Sequence, residues 1–173
     1  MREKIGKHDE IGSFRPRESD NIQILVDADA CPVKSIVVRL AKRMNIPVTM
    51  LIDTSHELSD SYSRIITVDK QAESVDYALM ALLTCDDIVV TQDYGLAAMA
   101  IGKGARAINQ NGLIFSETNI DRLLLERHIG KEIRRAGGRT KGPVKRSKED
   151  DIRFEHAFFE LLSNTKSEEA TDL

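Results

Sequence analysis

The feature that most limits what this chain can fold into lies at residues 24–34, ILVDADACPVK, where an apolar run ends in two aspartates and a proline then opens a helical pattern. Such a run is a strand covered on both faces of a parallel sheet, and the helix that follows is the connection such a sheet uses. The acids therefore arrive at the rim of an α/β sheet. If the strand continues that far, Asp27 and Asp29 leave the same face roughly 6 to 7 Å apart, and two carboxylates converge on one cation. Pro32 fits the first helical position, and the open N–H groups there suit an anion such as phosphate, with Lys34 one turn inside. One aspartate at a strand end often merely caps a turn. Two held together lose stability unless a cation or proton offsets them, which points to a metal or catalytic role.

The alternation begun here continues along the chain. Val33, Ile36, Val37, Leu40, Ala41 and Met44 fall at helical spacing, and Asn45 and Pro47 end that helix. Apolar runs at 46–52, 65–68, 88–90 and 105–108 read as further strands. Between them Ser74 is a fitting N-cap for a helix with Asp76 in its first turn, and Asp93 opens another. Thr118 and Asp121 make a capping-box-like start for a helix toward Ile133, which Gly137 and Gly138 end. A last helix near 147–162 carries Phe154, Phe158, Leu161 and Leu162 on one side. The fold class is α/β: a three-layer α/β/α sandwich on a mainly parallel sheet of about five strands. Residues 1–20 read as a flexible leader, 21–162 as a single domain including a basic helical segment at 127–162, and 163–173 as a polar tail.

With 173 residues, 41% hydrophobic and 31% charged, the chain is long enough for one sizeable core and has no apolar run that spans a bilayer. The charged N-terminus lacks the apolar stretch of a secretory signal, so the expected location is cytoplasmic and no membrane partner is expected. Cys31 and Cys85 are far apart, which suits neither a disulfide framework nor a zinc ribbon; both are expected as small buried hydrophobes, with a metal-tuning role for Cys31 as the alternative. His56, His128 and His156 have no partner at ligand spacing. The net charge of -3 excludes a globally basic nucleic-acid binder, yet it hides segregation. Residues 127–148 hold nine Lys or Arg against Glu132 alone, and nine minus one leaves a local excess of eight positive charges.

In a parallel sheet, ligands bind outside the carboxyl ends of the strands where strand order reverses. Asp27, Asp29 and Asp93 occupy such ends, and they meet if the 22–26 and 88–90 strands are neighbours; Asp76 starts a helix at the same edge. Each has a plainer reading, Asp93 as an N-cap and Asp76 as a complement to a helix dipole. Together they form an all-oxygen set that favours Mg²⁺ or Mn²⁺ over zinc, and such an ion activates water and neutralises charge on a phosphodiester. Asp86 and Asp87 precede their strand on the opposite rim and read as turn residues.

In order, DADACPVK, VDYALMALL, VTQDYGLA and GGRTKGP closely resemble the YaiI/YqxD family of uncharacterised bacterial proteins over about residues 22–162. That family is grouped with PIN-like domains, and Asp27, Asp76 and Asp93 look like the PIN acidic constellation that holds Mg²⁺ or Mn²⁺ in ribonucleases, with Asp29 as an extra acid. The resemblance implies a metal-dependent nuclease with Asp27, Asp29, Asp76 and Asp93 as catalytic and metal-holding residues. Single-stranded RNA is the expected partner in preference to DNA. Arg134, Arg135, Arg139, Lys141, Lys145 and Lys34 are the candidates for its phosphates; few aromatics lie nearby for base stacking. A charge run and a Gly-Gly break also have a plain reading as solvated surface and helix stop. Two alternatives remain: a haloacid-dehalogenase-like phosphatase, whose D-x-D pattern this strand shares, and a non-catalytic RNA-binding module.

Overall fold

The computed structural model describes residues 2–4, 22–55, 57–71, 73–142 and 144–169. In chain order they form β1 (Arg2–Lys4), β2 (Ile24–Asp27), α1 (Lys34–Met44), β3 (Val48–Asp53), β4 (Arg64–Val68), α2 (Ser74–Leu82) and β5 (Ile88–Val90). There follow α3 (Tyr94–Gly102), β6 (Arg106–Ile108), β7 (Ile114–Phe115), α4 (Glu117–Arg135) and α5 (Lys148–Glu169). The strands make one sheet in the order β1-β4-β3-β2-β5-β6-β7, parallel throughout except for the β6–β7 pair.

Continuous apolar strands are explained by cover on both faces. Ile24, Val26, Met50, Ile52 and Val90 point to one side, where α1 and the Phe154, Phe158 and Leu162 face of α5 cover them. Their neighbours Leu25, Leu51, Ile66 and Val89 point to the other, against Leu79, Leu82, Leu96, Ala97, Ile120 and Leu123 of α2, α3 and α4. This is the three-layer α/β/α sandwich expected of a PIN-like domain. From β2 the chain adds β3 and β4 on one side, then returns to place β5 and β6 on the other. Strand order thus reverses between β2 and β5.

The five strands read from sequence are β2 to β6, and two more complete the sheet. β1 falls within the expected leader and pairs with β4, and β7 is a two-residue strand returning beside β6. Both are too short, and too near the sheet edge, to carry an apolar period. The other leader residues lie outside the described residues. Helix starts shift by a residue or two: α2 is preceded by Glu73 in a left-handed conformation (φ 65°), so Ser74 is its first residue and not its cap. Pro32 precedes Val33, the residue before α1, and so stands outside the helix. The box that opens α4 is Ser116 with Asn119, in place of Thr118 with Asp121, because β7 ends at Phe115 and the helix begins at once. At its other end Gly137 has φ 81°, and a Cβ on Gly138 would come within 2.6 Å of the Ile133 side chain. The Gly-Gly pair is thus required by the helix stop. Helix α5 runs on to Glu169, into the expected polar tail, with Thr165 buried and its hydroxyl donating to the Leu161 carbonyl. Cys31 is buried as expected, but Cys85 is exposed in the turn before β5.

That turn holds a buried acid, Asp87. Its carboxylate accepts from the Gln23 and Thr84 backbone N–H groups, the Gln23 amide and the Thr84 hydroxyl, at 2.8–3.1 Å. The turn residue foreseen from sequence therefore also ties the start of β5 to the residue before β2. Asp87→Ala leaves these donors unmatched in the interior and is expected to cost about 2 to 4 kcal/mol in urea unfolding. A loss below about 1 kcal/mol would mean that water replaces the carboxylate without penalty.

Candidate active site at the carboxyl rim

Parallel pairing of β2 with β5, Val26 opposite Val90, sets the two strand ends side by side. Asp27 ends β2 half-buried, and the Thr91 hydroxyl just beyond β5 donates to its Oδ2 at 2.9 Å. The same hydroxyl accepts the Asp93 backbone N–H at 3.0 Å. Asp93 in turn caps α3, its Oδ1 accepting the Leu96 N–H at 3.0 Å. Thr91 thus links the two aspartates. Nothing in the sequence marks it, since a threonine after a valine run is an ordinary strand residue.

Asp29 is not on the strand. β2 stops at Asp27, and the chain turns through Ala28–Cys31 with Ala30 left-handed (φ 54°), so the same-face argument from strand spacing does not hold. The Asp29 carboxylate instead accepts the backbone N–H of Asp53, at 3.2 Å, at the end of β3. It still lies within electrostatic reach of Asp27. Asp53 ends β3, opposite Val68 of β4, and brings one more acid to this rim.

Asp76, in the first turn of α2, completes the group. Burial pushes the Asp27 carboxyl up to about 6; the Thr91 hydrogen bond opposes this, and Asp76, Asp29 and Asp93 add to the rise. Asp76 is raised by burial, then by Asp93 and Glu73. All four aspartates chosen from sequence thus share one electrostatic neighbourhood. Among the described residues, no group of three or more His, Cys, Asp or Glu is placed to hold a metal ion. A closed protein cage of the zinc kind would require such a group; Mg²⁺ keeps several waters and is commonly held by only one or two carboxylates. The donor chemistry here, hard oxygens whose mutual repulsion a cation relieves, fits an open hydrated ion of that type.

Lys34 is the first residue of α1, and its ammonium donates to the Ala28 carbonyl at 3.1 Å, across the loop that carries Asp29. The other basic candidates lie in or beside an exposed stretch, residues 131–142 being exposed throughout. Arg135 pairs with Glu132 at 2.9 Å, and Arg134 donates to Thr140 at 3.2 Å. Arg139, Lys141 and Lys145 are exposed. Of the histidines, His128 and His156 are exposed and His56 lies outside the described residues. No helix of the described residues is long and apolar enough to cross a membrane.

The Asp27 environment sets a sign for pH dependence. The folded carboxyl titrates near pH 6 and the unfolded one near 3.8, so between these values the folded state binds more protons. Stability therefore falls as pH rises through that window, by on the order of 2 to 3 kcal/mol. Asp27→Asn is expected to unfold at higher urea than wild type at pH 8, with the gap closing below pH 4. An equal gap at both pH values would remove the titration account.

The sequence model of the uncharacterised BCR, YaiI/YqxD family matches residues 25–164. A UPF0178 protein of Ruminiclostridium cellulolyticum is 61% identical over 152 residues, covering 88% of this chain and 99% of the relative. UPF0178 proteins of Clostridium acetobutylicum and Lachnoclostridium phytofermentans are 55% and 54% identical, each over 84% of this chain and 99% and 100% of the relative. No solved structure matches the chain.

Proposed function

The chain belongs to the YaiI/YqxD family, and from that premise and the acid rim we propose that it is a metal-dependent phosphodiesterase of PIN-like type acting on single-stranded RNA. The observation that supports the reading is that Asp29, Asp76 and Asp93 all lie within electrostatic reach of Asp27, which ends β2 where strand order reverses. A bound Mg²⁺ or Mn²⁺ supplies charge neutralisation at the phosphodiester and activates water as the nucleophile. The chain's own residues do the rest. Asp27, Asp76 and Asp93, with Asp29 beside them, would offer carboxylate oxygens to an ion that keeps several of its waters, and Thr91 orients Asp27 by its hydrogen bond. The exposed basic stretch draws in the RNA backbone, which the acidic rim by itself would repel. Asp86 and Asp87 do not supply the late acid pair of a haloacid-dehalogenase-like phosphatase: they precede β5 at the amino end, and Asp87 is buried in its own hydrogen bonds.

Two measurements test the reading. Mn²⁺ or Mg²⁺ is expected to raise the melting temperature of wild type, since a ligand that binds only the folded state stabilises it, and the Asp27→Asn, Asp93→Asn double variant is expected to lose that response. Equal shifts in both proteins would place the ion elsewhere. On labelled single-stranded RNA, Asp93→Asn is expected to abolish cleavage and leave binding intact, because asparagine keeps the cap on α3 and loses the charge. Cleavage that persists in the variant or survives chelation would sink the assignment, and binding without cleavage by either protein would leave the non-catalytic RNA-binding module.

For the basic stretch, replacing Arg134, Arg135, Arg139 and Lys141 by Ala is expected to flatten the salt dependence of RNA binding, by about 0.7 in log-log slope per lost phosphate contact. An unchanged slope would put the contact on another surface.

A further inference from the structure

The basic stretch joins two helices that lie on opposite faces of the sheet. Ile120 and Leu123 fix α4 in the core shared with α2 and α3, while Phe154 and Phe158 fix α5 in the core shared with α1. The chain between them must pass from one face to the other, and the basic stretch at 127–148 is fastened at the carboxyl rim on both sides of that passage, within α4 and just before α5. At the first, the Arg127 guanidinium lies 5.3 Å over the ring of Tyr94, the residue after Asp93. That ring stands edge-on to Phe115, with centroids 5.5 Å apart. At the second, Arg146 donates from Nε to Asp151 at 2.7 Å and from Nη1 to Asn111, in the β6–β7 turn, at 3.3 Å. Its charge reaches Cys31 in the loop after β2. Arg146 is also the less exposed kind of arginine, with 21% of its side chain accessible against 64% for Arg135. Between these fastenings every residue from 131 to 142 is exposed.

We propose that Arg127 and Arg146 are positioning residues, the two fixed ends of a basic crossover that holds single-stranded RNA against the acid rim. The inference rests on the reading of the rim as an RNA site and divides the basic residues by task. Arg139 and Lys141 meet phosphates. Arg127 and Arg146 are occupied by Tyr94, Asp151 and Asn111, and determine where the bound strand lies. Arginine suits both fastenings, since it stacks on an aromatic face and its planar fork serves two acceptors.

The test uses full-length protein and a labelled single-stranded RNA in chelator, read by salt-dependent binding and by amide hydrogen exchange with and without RNA. In wild type, RNA is expected to slow exchange in both α4's last turns and the rim segments 28–34 and 91–96. In Arg127→Ala and Arg146→Ala, affinity is expected to stay within about threefold and the salt slope to change by less than the roughly 0.7 of one contact, while protection of the rim segments is lost. Arg127→Lys is expected to restore rim protection, because lysine keeps the cation over the ring, and Arg146→Lys is not, because an ammonium lacks the fork. Asn111→Ala, which leaves the arginine in place, serves as the milder variant if Arg146→Ala melts early. With Mn²⁺ present, the alanine variants are expected to lower kcat about tenfold or more with KM little changed, the mark of a misplaced strand.

Unchanged rim protection in the alanine variants would overturn the proposal. So would a wild-type footprint that never reaches the rim, or a slope that drops as it does for Arg139→Ala. Rim protection that behaves as expected without any cleavage would remove the nuclease reading and keep the positioning roles; absence of RNA binding by every protein would remove both.

Discussion

The parallel pairing of β2 with β5 is the constraint on which the rest depends. It joins the half of the sheet built before α2 to the half built after it, and it is the place where strand order reverses. Helices on the two sides must diverge there, which leaves the crevice in which α/β proteins bind ligands. It also sets Thr91 against Asp27, so one hydroxyl connects the end of β2 to the backbone that leads into α3. The buried knot of Asp87 with Gln23 and Thr84 holds the same two strands at their other ends. Carboxylates at both ends of one strand pair thus have opposite uses. Asp87 is buried among donors that match it, whereas Asp27 is partly buried among acids that raise it.

That second arrangement lowers stability as it stands. Asp27 is partly removed from water, and that burial together with Asp76, Asp29 and Asp93 pushes its carboxyl up to about 6. Proteins tolerate such unfavourable charge chiefly where it is used. A divalent cation removes the conflict directly. On the proposed reading, the basic stretch would act on the same field at longer range, drawing in a polyanion that the acids by themselves repel.

The alternation of strands and helices was readable from residue pattern alone because two-sided burial forces continuous apolar strands, and β2 through β6 follow directly from it. β1 and β7 were not readable. A charged triplet at the edge and a two-residue return strand are specified by the neighbours they pair with, and nothing in their own residues marks them. Helix caps were readable as chemistry but less so as register: Asp93 stands where it was expected, while α4 took Ser116–Asn119 over the adjacent Thr118–Asp121 because β7 ends just before it. For Cys85 the apolar character of the residue was a poor guide, since the turn before β5 leaves it at the surface.

At the rim, sequence by itself placed three of the acids, because a carboxylate after an apolar strand or in a first helical turn is positioned by local geometry. Asp27, Asp76 and Asp93 needed only that each element form. It also determined the charge segregation of residues 127–148, which is a property of composition. Only the tertiary structure decided that β2 and β5 are neighbours, that Thr91 joins Asp27 to Asp93, and that Asp29 turns toward Asp53. The same holds for the two ends of the basic stretch, Arg127 on Tyr94 and Arg146 on Asn111 and Asp151. These contacts join residues far apart in the chain, and such pairings are set by strand order and face, which local pattern does not encode.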